Sequence, residues 1–407
     1  GSVHNQLACC GDWTLVSIGV NMRVLLTDAQ DVQSITVARA LKREGCVVYG
    51  FMTSRISYGY FSHAFWKRII CPDVKTDSEG FRLELMSFLA THQIDVIIPL
   101  SDGSAAFVSK NKTELEKQFG VKCAVPDYEI FCTAHNKGRL MDICRQYDIP
   151  HPRTFTISAD MFEEAVAYVG FPALIKPDIS EGARGIVYVE SAEQVRAKVG
   201  AVIKEFGSCT LQQYIRHTGV YYNVMLYRGA AGECLGQTVI RILRYFPLKG
   251  GTSCYCESVE EPELVAMCFS LLDRIGWVGF ADFDIMQEAD TGTYKIIEIN
   301  PRTPASIKAA YVSGVDFPSV ILRDTLGLPV PEYRYESGKI LRYMGLDVMW
   351  FLFSPERFRF RPSWFRFFGK NIFYEDGYWN DPLPMLAGCV AGVIKYLNPR
   401  FRRSKLC

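Results

Sequence analysis

Short apolar runs alternate with helix-like segments over the first third of the chain. Runs rich in β-branched residues predict strands at 23–27, 47–51 and 96–100. Ile35, Ala38 and Leu41 recur at helical spacing after the first run, and a second helix is expected over about 78–92. Because strands that alternate with helices form parallel βαβ units, we predict a Rossmann-like α/β domain over residues 22–125.

The pattern changes at Pro150 and Pro152. A helix is expected over 127–149, and the prolines should end it and mark a domain boundary. Beyond them, an apolar run at 171–177, a glycine-containing loop, a run at 185–189 and a helix at about 192–206 follow in order. Strand–loop–strand order of this kind favours an antiparallel layer, and therefore an α+β unit.

The two ends of the chain differ from this body. Residues 1–21 fit no element and are interpreted as a tag or leader of uncertain structure, so the folded body is expected to begin at Met22. Residues 341–407 hold 16 aromatic residues, with 11 Lys and Arg against 5 Asp and Glu. Residues 331–407 are therefore an aromatic, basic C-terminal extension.

Composition narrows the function classes. The net charge is +1, so no attraction of the whole chain to nucleic acid is expected. The first strand–helix turn, 27–31, has no glycine, which argues against NAD or FAD there. The 14 cysteines form no CxxC pair, which predicts reduced thiols, no metal at Cys254 and Cys256, and a cytoplasmic protein. No apolar run reaches 18 residues, so no membrane-spanning helix is predicted.

Two segments combine apolar and acidic positions at strand spacing. Asp282 and Asp284 alternate with apolar neighbours, as do Glu298 and Asn300. Because residues i and i+2 of a strand share a face, adjacent strands could gather Asp284, Glu298 and Asn300 into a cluster of hard oxygen ligands. Mg²⁺ prefers this ligand set, with phosphates completing its shell. Arg302 follows directly and could stabilise negative charge on a reacting group. The alternative is an ordinary acidic strand that faces solvent.

Two lysines and a loop complete the candidate chemistry. Lys137 begins the helix before the prolines, and Lys176 ends an apolar strand just before the loop Glu181–Ile186. Such a loop can place backbone N–H groups on phosphates because its glycines leave room. The segment Gln212, Gln213, Tyr214 and Ile215 could contact a base edge through its backbone. Each feature alone also fits an ordinary surface.

In this order the features resemble the ATP-grasp superfamily, and within it the carboxylate–amine ligases and the large chain of carbamoyl phosphate synthase. The resemblance covers residues 22–330 and implies a Rossmann-like domain followed by an ATP-grasp domain at 126–330, whose two α+β subdomains clasp ATP. It implies that ATP is bound by a set of lysine, loop and hinge residues, namely Lys137, Lys176, Gly182, Arg184, Gly185, Gln212, Gln213, Tyr214 and Ile215. It assigns Asp284, Glu298 and Asn300 to Mg²⁺, with Mn²⁺ as an alternative. The acid that often holds the ribose is absent from Thr218–Tyr222.

The resemblance also implies a reaction. A carboxylate would take the γ-phosphoryl group of ATP, and an amine would then displace phosphate from the acyl phosphate. Arg302, with Arg241 or Arg244, is expected to hold the carboxylate and the later oxyanion, and the segment Lys249–Ser253 to lie beside the acceptor. The carboxylate is expected to be an amino-acid-type or surface-polysaccharide acid. Bicarbonate activation, as in carbamoyl phosphate synthase or biotin carboxylase, and ATP binding without turnover are the alternatives, and a homodimer is left open.

Residues 350–370 of the extension alternate aromatic and basic side chains. They could meet a membrane surface, with rings at headgroup level and arginines on anionic lipid, which would place the protein at the inner membrane surface. They could instead pack on the core with the arginines outside. RNA binding is a third and weaker hypothesis, because the alternation of aromatic and basic side chains is short.

Overall fold

The computed structural model describes residues 21–158, 160–180, 185–248 and 250–397. Its first part contains five strands and five helices, β1 (Arg23–Thr27), α1 (Gln33–Arg43), β2 (Val47–Met52), α2 (Tyr58–Phe61), β3 (Lys67–Ile70), α3 (Ser78–Thr91), β4 (Val96–Pro99), α4 (Asp102–Lys110), α5 (Lys112–Phe119) and β5 (Lys122–Cys123). The strands form one sheet in the order β3-β2-β1-β4-β5, and every neighbouring pair is parallel.

Apolar side chains of β1 cover both faces of this sheet. Leu25 belongs to one hydrophobic cluster with residues of α3, whereas Val24 and Leu26 belong to another with residues of α1. A strand that is buried on both faces must be apolar along its whole length, which is why the run 23–27 shows no alternation.

The helix expected over 127–149 is two helices, α6 (Tyr128–His135) and α7 (Lys137–Gln146). Asn136 separates them with an extended backbone, and its side chain accepts a hydrogen bond from the backbone N–H of Arg139. The side chain thus caps α7 and satisfies an N–H group that has no partner within the helix. This break starts α7 at Lys137.

A small lobe follows α7. It consists of β6 (Thr154–Thr156), α8 (Phe162–Val169), β7 (Ala173–Pro177), β8 (Val187–Val189), α9 (Ala192–Phe206) and β9 (Cys209–Gln213). Its sheet has the order β6-β9-β7-β8, and all of its pairs are antiparallel, as the strand–loop–strand pattern predicts. The lobe has a hydrophobic cluster of its own, which includes Val169, Ile175 and Leu211.

The remaining strands form one seven-stranded sheet in the order β14-β13-β10-β11-β12-β15-β16. The elements are β10 (His217–Arg228), β11 (Cys234–Phe246), β12 (Thr252–Val259), α10 (Pro262–Ile275), β13 (Gly279–Glu288), β14 (Tyr294–Asn300), α11 (Ile307–Val312), α12 (Phe317–Thr325), β15 (Ile340–Arg342), α13 (Met344–Phe353), β16 (Ile372–Tyr374) and α14 (Leu383–Leu397). Trp277 and Phe283 are buried on one face of the sheet, and Phe317 and Ile240 on the other.

The C-terminal extension is continuous with the large sheet. β15 pairs antiparallel with β12, and β16 then pairs parallel with β15. α13 packs against β11 and β12, and α14 packs against α2 of the first sheet's domain. Within the described part of the chain, no helix is both long and apolar enough to cross a membrane.

Candidate active site

The acidic positions of β13 and β14 meet on one face of the large sheet. Asp284 lies opposite Glu298 and Asp282 lies opposite Asn300 in the antiparallel register. Directly opposed residues share a face, and so do residues two apart along a strand. The structure therefore brings Asp284, Glu298 and Asn300 together, and the Nδ2 atom of Asn300 lies 3.4 Å from a carboxylate oxygen of Asp284.

The carboxyl groups of Asp284 and Glu298 have pKa values that are shifted in opposite directions. Burial, together with the charge of Glu298 and of Asp282, raises the pKa of Asp284 well above its ordinary value. Burial also disfavours the charged form of Glu298, but Lys137, a hydrogen bond from Asp284 and Lys176 outweigh it and lower its pKa to about 2. The two pKa values shift in opposite directions because adjacent carboxylates resist ionising together and the lysines favour the charged form of Glu298.

Lys137 links this acidic face to the small lobe. Its Nζ atom lies 3.3 Å from an Oε atom of Glu298 and donates to the backbone carbonyl of Ser180 at 2.8 Å. Its backbone N–H donates to the carbonyl of Asp178, so the first residue of α7 is tied to the segment after β7 at two points. Lys137 therefore touches both sides of the space between the lobes.

Lys176 lies on β7 and is nearly fully buried. Burial and the neighbouring Lys137 lower its pKa to about 8, while Glu298 and Asp284 oppose that shift. Both lysines thus act on Glu298 and lower its pKa.

Arg302 faces the acidic positions from the end of β14. Its Nε atom lies 3.3 Å from Asp102, and one Nη atom lies 3.4 Å from the Oδ1 atom of Asn300. Burial works against its charge, but Asp102, Asp282, Asp284 and Glu298 raise its pKa above the ordinary value. Its side chain remains 23% exposed, so the guanidinium can still meet a ligand.

Two residues that sequence reasoning missed complete the cluster. Asn223, on β10, lies opposite Asp284 and donates to it and to the carbonyl of Phe283. Asp102 follows β4 of the first sheet and lies in the first turn of α4. Nothing else in its local sequence distinguishes it from other acidic residues at the start of a helix. The one available signal for Asp102 is its position at the carboxyl end of a parallel strand, where ligand sites gather in α/β sheets.

The donor set fits a divalent cation. Asp284, Glu298 and Asn300 supply hard oxygen atoms, which Mg²⁺ prefers. One carboxylate oxygen of the buried Asp282 has no hydrogen-bond partner among the described residues, so this face has an excess of acceptors. No group of three His, Cys, Asp or Glu side chains in the described ranges is placed to hold a metal. A cation here would therefore share its coordination with a ligand such as a phosphate.

The hinge residues run from the end of β9, which contains Gln212 and Gln213, into the link to β10, which contains Tyr214 and Ile215. The Nε2 atom of Gln212 donates to Thr154 at 2.9 Å, so this buried side chain stabilises the small lobe. The side-chain oxygen of Gln213 accepts from the backbone N–H of Arg153. Ile215 is buried, and Tyr214 is partly exposed with its ring edge against Tyr188.

An aromatic group lies on the same side of β10 as Asn223. The rings of Tyr221 and Tyr245 meet edge to face at 4.8 Å, and the hydroxyl of Tyr221 lies 3.0 Å from the Nε2 atom of His217. Tyr221 belongs to the stretch that lacks the usual ribose-binding acid. Burial raises its pKa strongly, and nearby Asp284 adds to that shift. The phenol therefore stays neutral and can act as a hydrogen-bond donor.

The two arginines of β11 do not join the cluster, which corrects the roles expected for them. Arg241 lies opposite Tyr222, whereas Asp284 lies opposite Asn223, so Arg241 is on the other face of the sheet. There it forms an ion pair with Glu257 at 3.0 Å. Arg244 is completely buried and makes a bidentate ion pair with Asp347, at 2.7 and 2.8 Å. Arg241, although 39% exposed, therefore lies on the opposite face of the sheet from Asp284, and Arg244 is enclosed by the protein.

Part of the expected phosphate loop lies outside the described residues. This applies to Gly182 and Arg184, and also to Lys249 of the glycine turn. Gly185 is described and has a φ of +75°, and a Cβ atom there would lie 2.5 Å from the ring of Phe206. The position therefore requires glycine both for its backbone conformation and for space.

Comparison with known proteins gives relatives that include amino-acid ligases and carboxylases. No family model matches the chain. It is 24% identical over 283 residues to D-aspartate ligase from Enterococcus faecium, covering 63% of this chain and 66% of that protein. It is 27% identical over 203 residues to D-alanine–D-alanine ligase from Ectopseudomonas mendocina, covering 46% and 64%. The chain thus spans less than two thirds of the length of the curated relatives it matches.

Solved structures agree at the level of the fold. A biotin carboxylase complex from Campylobacter jejuni superposes with a TM-score of 0.65 at 15% identity, covering 78% of this chain and 74% of that one. These proteins belong to the ATP-grasp superfamily, which confirms the resemblance drawn from the sequence.

Proposed function

We propose that this chain, a member of the ATP-grasp superfamily, is an ADP-forming carboxylate–amine ligase that works through an acyl phosphate. The observation that carries the proposal is the pair of contacts made by Lys137, to Glu298 on the acidic face and to the carbonyl of Ser180 in the small lobe, at the point where Arg302 also converges. A cation-binding carboxylate pair, two lysines and one arginine around one space suit phosphoryl transfer, in which positioning and charge neutralisation supply most of the catalysis.

In this proposal the nucleotide lies between the lobes. Lys137 and Lys176 neutralise its phosphates, and Tyr214 and Ile215 line the hinge beside its base. Asp284, Glu298 and Asn300 hold Mg²⁺, which would neutralise the charge that develops on the phosphate oxygens. Tyr221, whose hydroxyl contacts the Nε2 atom of His217, stands in the stretch where other members of the superfamily have a ribose-binding acid.

The reaction has two steps. In the first, a carboxylate oxygen of the acceptor attacks the γ-phosphorus of ATP, the bond to the β-phosphate oxygen breaks, and ADP leaves. In the second, an amine nitrogen attacks the acyl carbon, phosphate leaves with the bonding electrons, and the nitrogen loses a proton to solvent. Arg302 holds the carboxylate and then the tetrahedral oxyanion, and Asp102 fixes the orientation of its guanidinium.

The two curated relatives support an amino-acid-type acceptor. The names of both describe ligases that act on D-amino acids. We therefore place D- and L-amino acids and short peptides ahead of polysaccharide acids as carboxylate substrates. A homodimer and a cytoplasmic location stay predictions.

We also propose a division of the chain into a Rossmann-like domain at 22–125, an ATP-grasp domain at 126–330 and an extension at 331–407. The all-parallel first sheet and the antiparallel small lobe support the first two parts. The extension would add to the ATP-grasp domain, because β15 and β16 extend the large sheet.

The experiment is a screen for ADP release by the full chain with Mg-ATP and pairs of amino acids, amines and uronic acids. We expect release that requires both a carboxylate and an amine and that falls about 10²-fold or more in Glu298→Gln. Glu332→Gln, at an exposed ion pair, is the matched control and should leave the rate unchanged.

Two results would overturn the proposal. ADP release that requires bicarbonate and no other carboxylate would assign bicarbonate activation instead. Thermal stabilisation by Mg-ATP, without ADP release for any pair, would assign a nucleotide-binding protein that does not turn over its ligand.

A further inference from the structure

The aromatic, basic segment of the extension is divided between core and surface. Trp350, Phe360 and Trp364 pack in or against a small hydrophobic cluster with Phe246. By contrast, five apolar side chains between 352 and 368 are exposed, namely Leu352, Phe353, Phe358, Phe365 and Phe368. We call these five residues and the exposed Arg359, Arg361, Arg366 and Lys370 the aromatic–basic surface.

The exposed rings form a surface with internal order. Phe351 contacts Phe358 and Phe365 at ring distances of 5.5 and 5.6 Å, and the last two rings lie nearly parallel at 6.5 Å. Phe358, Phe365 and Phe368 are nevertheless 68%, 57% and 91% exposed. The contact between the exposed rings of Phe358 and Phe365 makes their apolar surface continuous, and exposed apolar patches of this kind mark interaction sites.

Buried arginines hold the segment in this arrangement. Arg342 and Arg244 share the carboxylate of Asp347, and all three are completely buried. Their remaining N–H groups donate to backbone carbonyls of the segment: Arg244 to Pro362 at 3.1 Å, and Arg342 to Trp364 and Arg366 at 3.1 and 2.8 Å. The exposed rings are thus presented on a backbone that is fixed from inside.

The charge of the segment indicates what it binds. Residues 352–370 contain five basic residues and one acidic residue, Glu356. Arg357 donates to the carbonyls of Leu352 and Ser354 and so helps to fold the turn, which leaves the other four basic groups at the surface. Rings at headgroup depth, interleaved with cations, match an anionic bilayer, to which each basic residue adds attraction.

We propose that the aromatic–basic surface binds anionic lipid bilayers and thereby brings the catalytic lobes to substrates at a membrane. The proposal does not depend on the reaction assigned above, since none of these residues belongs to the candidate active site.

A second apolar face competes for this role. On α14, Leu383, Leu386, Val390, Val393, Ile394 and Leu397 recur at helical spacing and are exposed. Among the described residues of that helix, Lys395 is the one charged side chain. The described part of α14 therefore carries one basic side chain, against four on the aromatic–basic surface, and it supplies an apolar face for comparison.

The test is co-sedimentation of the full chain with phosphatidylcholine vesicles, with and without phosphatidylglycerol. We expect binding that requires phosphatidylglycerol and weakens as salt is added. Phe365→Ser/Phe368→Ser should weaken it about tenfold or more, and Arg359→Gln/Arg361→Gln should weaken it about tenfold, because each surface cation contributes attraction near the membrane. Val390→Ser/Val393→Ser should retain it, and all three variants should keep the wild-type rate of ADP release or, if none is detected, its thermal stability.

Several outcomes overturn the proposal. Absence of binding to either vesicle does so, as does binding that the aromatic and arginine variants retain. Loss of binding in the α14 variant alone would assign the membrane contact to α14. Self-association that the aromatic variant abolishes, without vesicle binding, would show that the surface meets a second copy of the chain. Binding to a single-stranded RNA probe in place of vesicles would assign it to nucleic acid.

Discussion

The ammonium group of Lys137 lies 3.3 Å from the carboxylate of Glu298, although 160 residues separate them in the sequence. One belongs to the first turn of α7 and the other to a strand of the large sheet. Residues of α7 and of β14 belong to the same hydrophobic cluster, so the packing of the core holds these two side chains together.

This pair gives a double-mutant prediction. Lys137→Met and Glu298→Gln should each lower kcat/KM for ADP release by about 10²-fold or more, because each removes a preorganised charge from the phosphate site. The double variant should lose less than the product of the two effects, since both changes remove the same contact. Steady-state kinetics with thermal melts will separate catalysis from folding. The exposed pair Arg334 and Glu332, changed in the same way, should show no coupling, and additive losses at Lys137 and Glu298 would contradict the prediction.

Asp102 should act as a positioning residue for Arg302. Asp102→Asn keeps the shape of the side chain and removes its charge from a contact of 3.3 Å. We expect kcat/KM for the carboxylate substrate to fall about tenfold, with the KM for ATP little changed, because the guanidinium loses its orienting charge. Asp102→Ala should lose more, and Asp127→Asn, at an exposed ion pair, should lose nothing. A change confined to the KM for ATP would contradict this role, because Asp102 would then act on nucleotide binding.

Asp347 should be essential for stability. It neutralises Arg244 and Arg342 in a site from which water is excluded. Asp347→Asn leaves two buried guanidinium groups without a counter-charge, and breaking a buried pair in this way costs about 3–5 kcal/mol. Chemical denaturation should show that loss, and limited proteolysis should show faster cleavage near 362–366, where both arginines hold the backbone. Glu356→Gln, an exposed change in the same region, is the control, and a loss below about 1 kcal/mol would contradict the role.

Glu375 should make stability depend on pH. Burial, aided by Asp376 and opposed by Lys308, raises the pKa of this carboxyl from 4.5 to about 8. Between these two pH values the folded state keeps a proton that the unfolded state has lost, so this group's contribution to stability falls as pH rises through the window.

The variant Glu375→Gln should remove that decline, because the amide resembles the protonated acid and does not titrate. The measurement is the free energy of unfolding at pH 5, 6, 7 and 8 for the wild type and the variant, and the difference between them should shift in favour of the variant as pH rises. Glu356→Gln should follow the wild type. Parallel curves for the wild type and Glu375→Gln would show that Glu375 ionises normally.

Local sequence determined much of the fold and the centre of the site. The runs at 23–27 and 47–51 become strands because β-branched, apolar residues suit a sheet that is buried on both faces. Asp282 with Asp284, and Glu298 with Asn300, share a face because strand geometry fixes the side of residues two apart. The order of these motifs along the chain was enough to indicate the superfamily.

Other features depend on contacts between distant parts of the chain. Whether Arg241 shares a face with Asp284 depends on the register of β11 against β10, and a shift of one residue would reverse the answer. Asp102 reaches Arg302 only through the packing of the first sheet's domain on the large sheet. The split of 127–149 into α6 and α7 depends on Asn136, whose side chain can either interrupt a helix or cap one.

The fate of the aromatic and basic residues was also decided in three dimensions. Arg244 and Arg361 are alike in sequence, each flanked by apolar residues, yet one is buried against Asp347 and the other is exposed. Burial of an arginine requires a carboxylate at the right distance, and the partner of Arg244 lies 103 residues away. Sequence alone therefore determined several of the strands and which of their side chains share a face. Tertiary structure decided which charged side chains are neutralised inside the protein and which stay free to meet a ligand or a membrane. The reason is that a buried charge is stable only where packing supplies a partner of opposite charge.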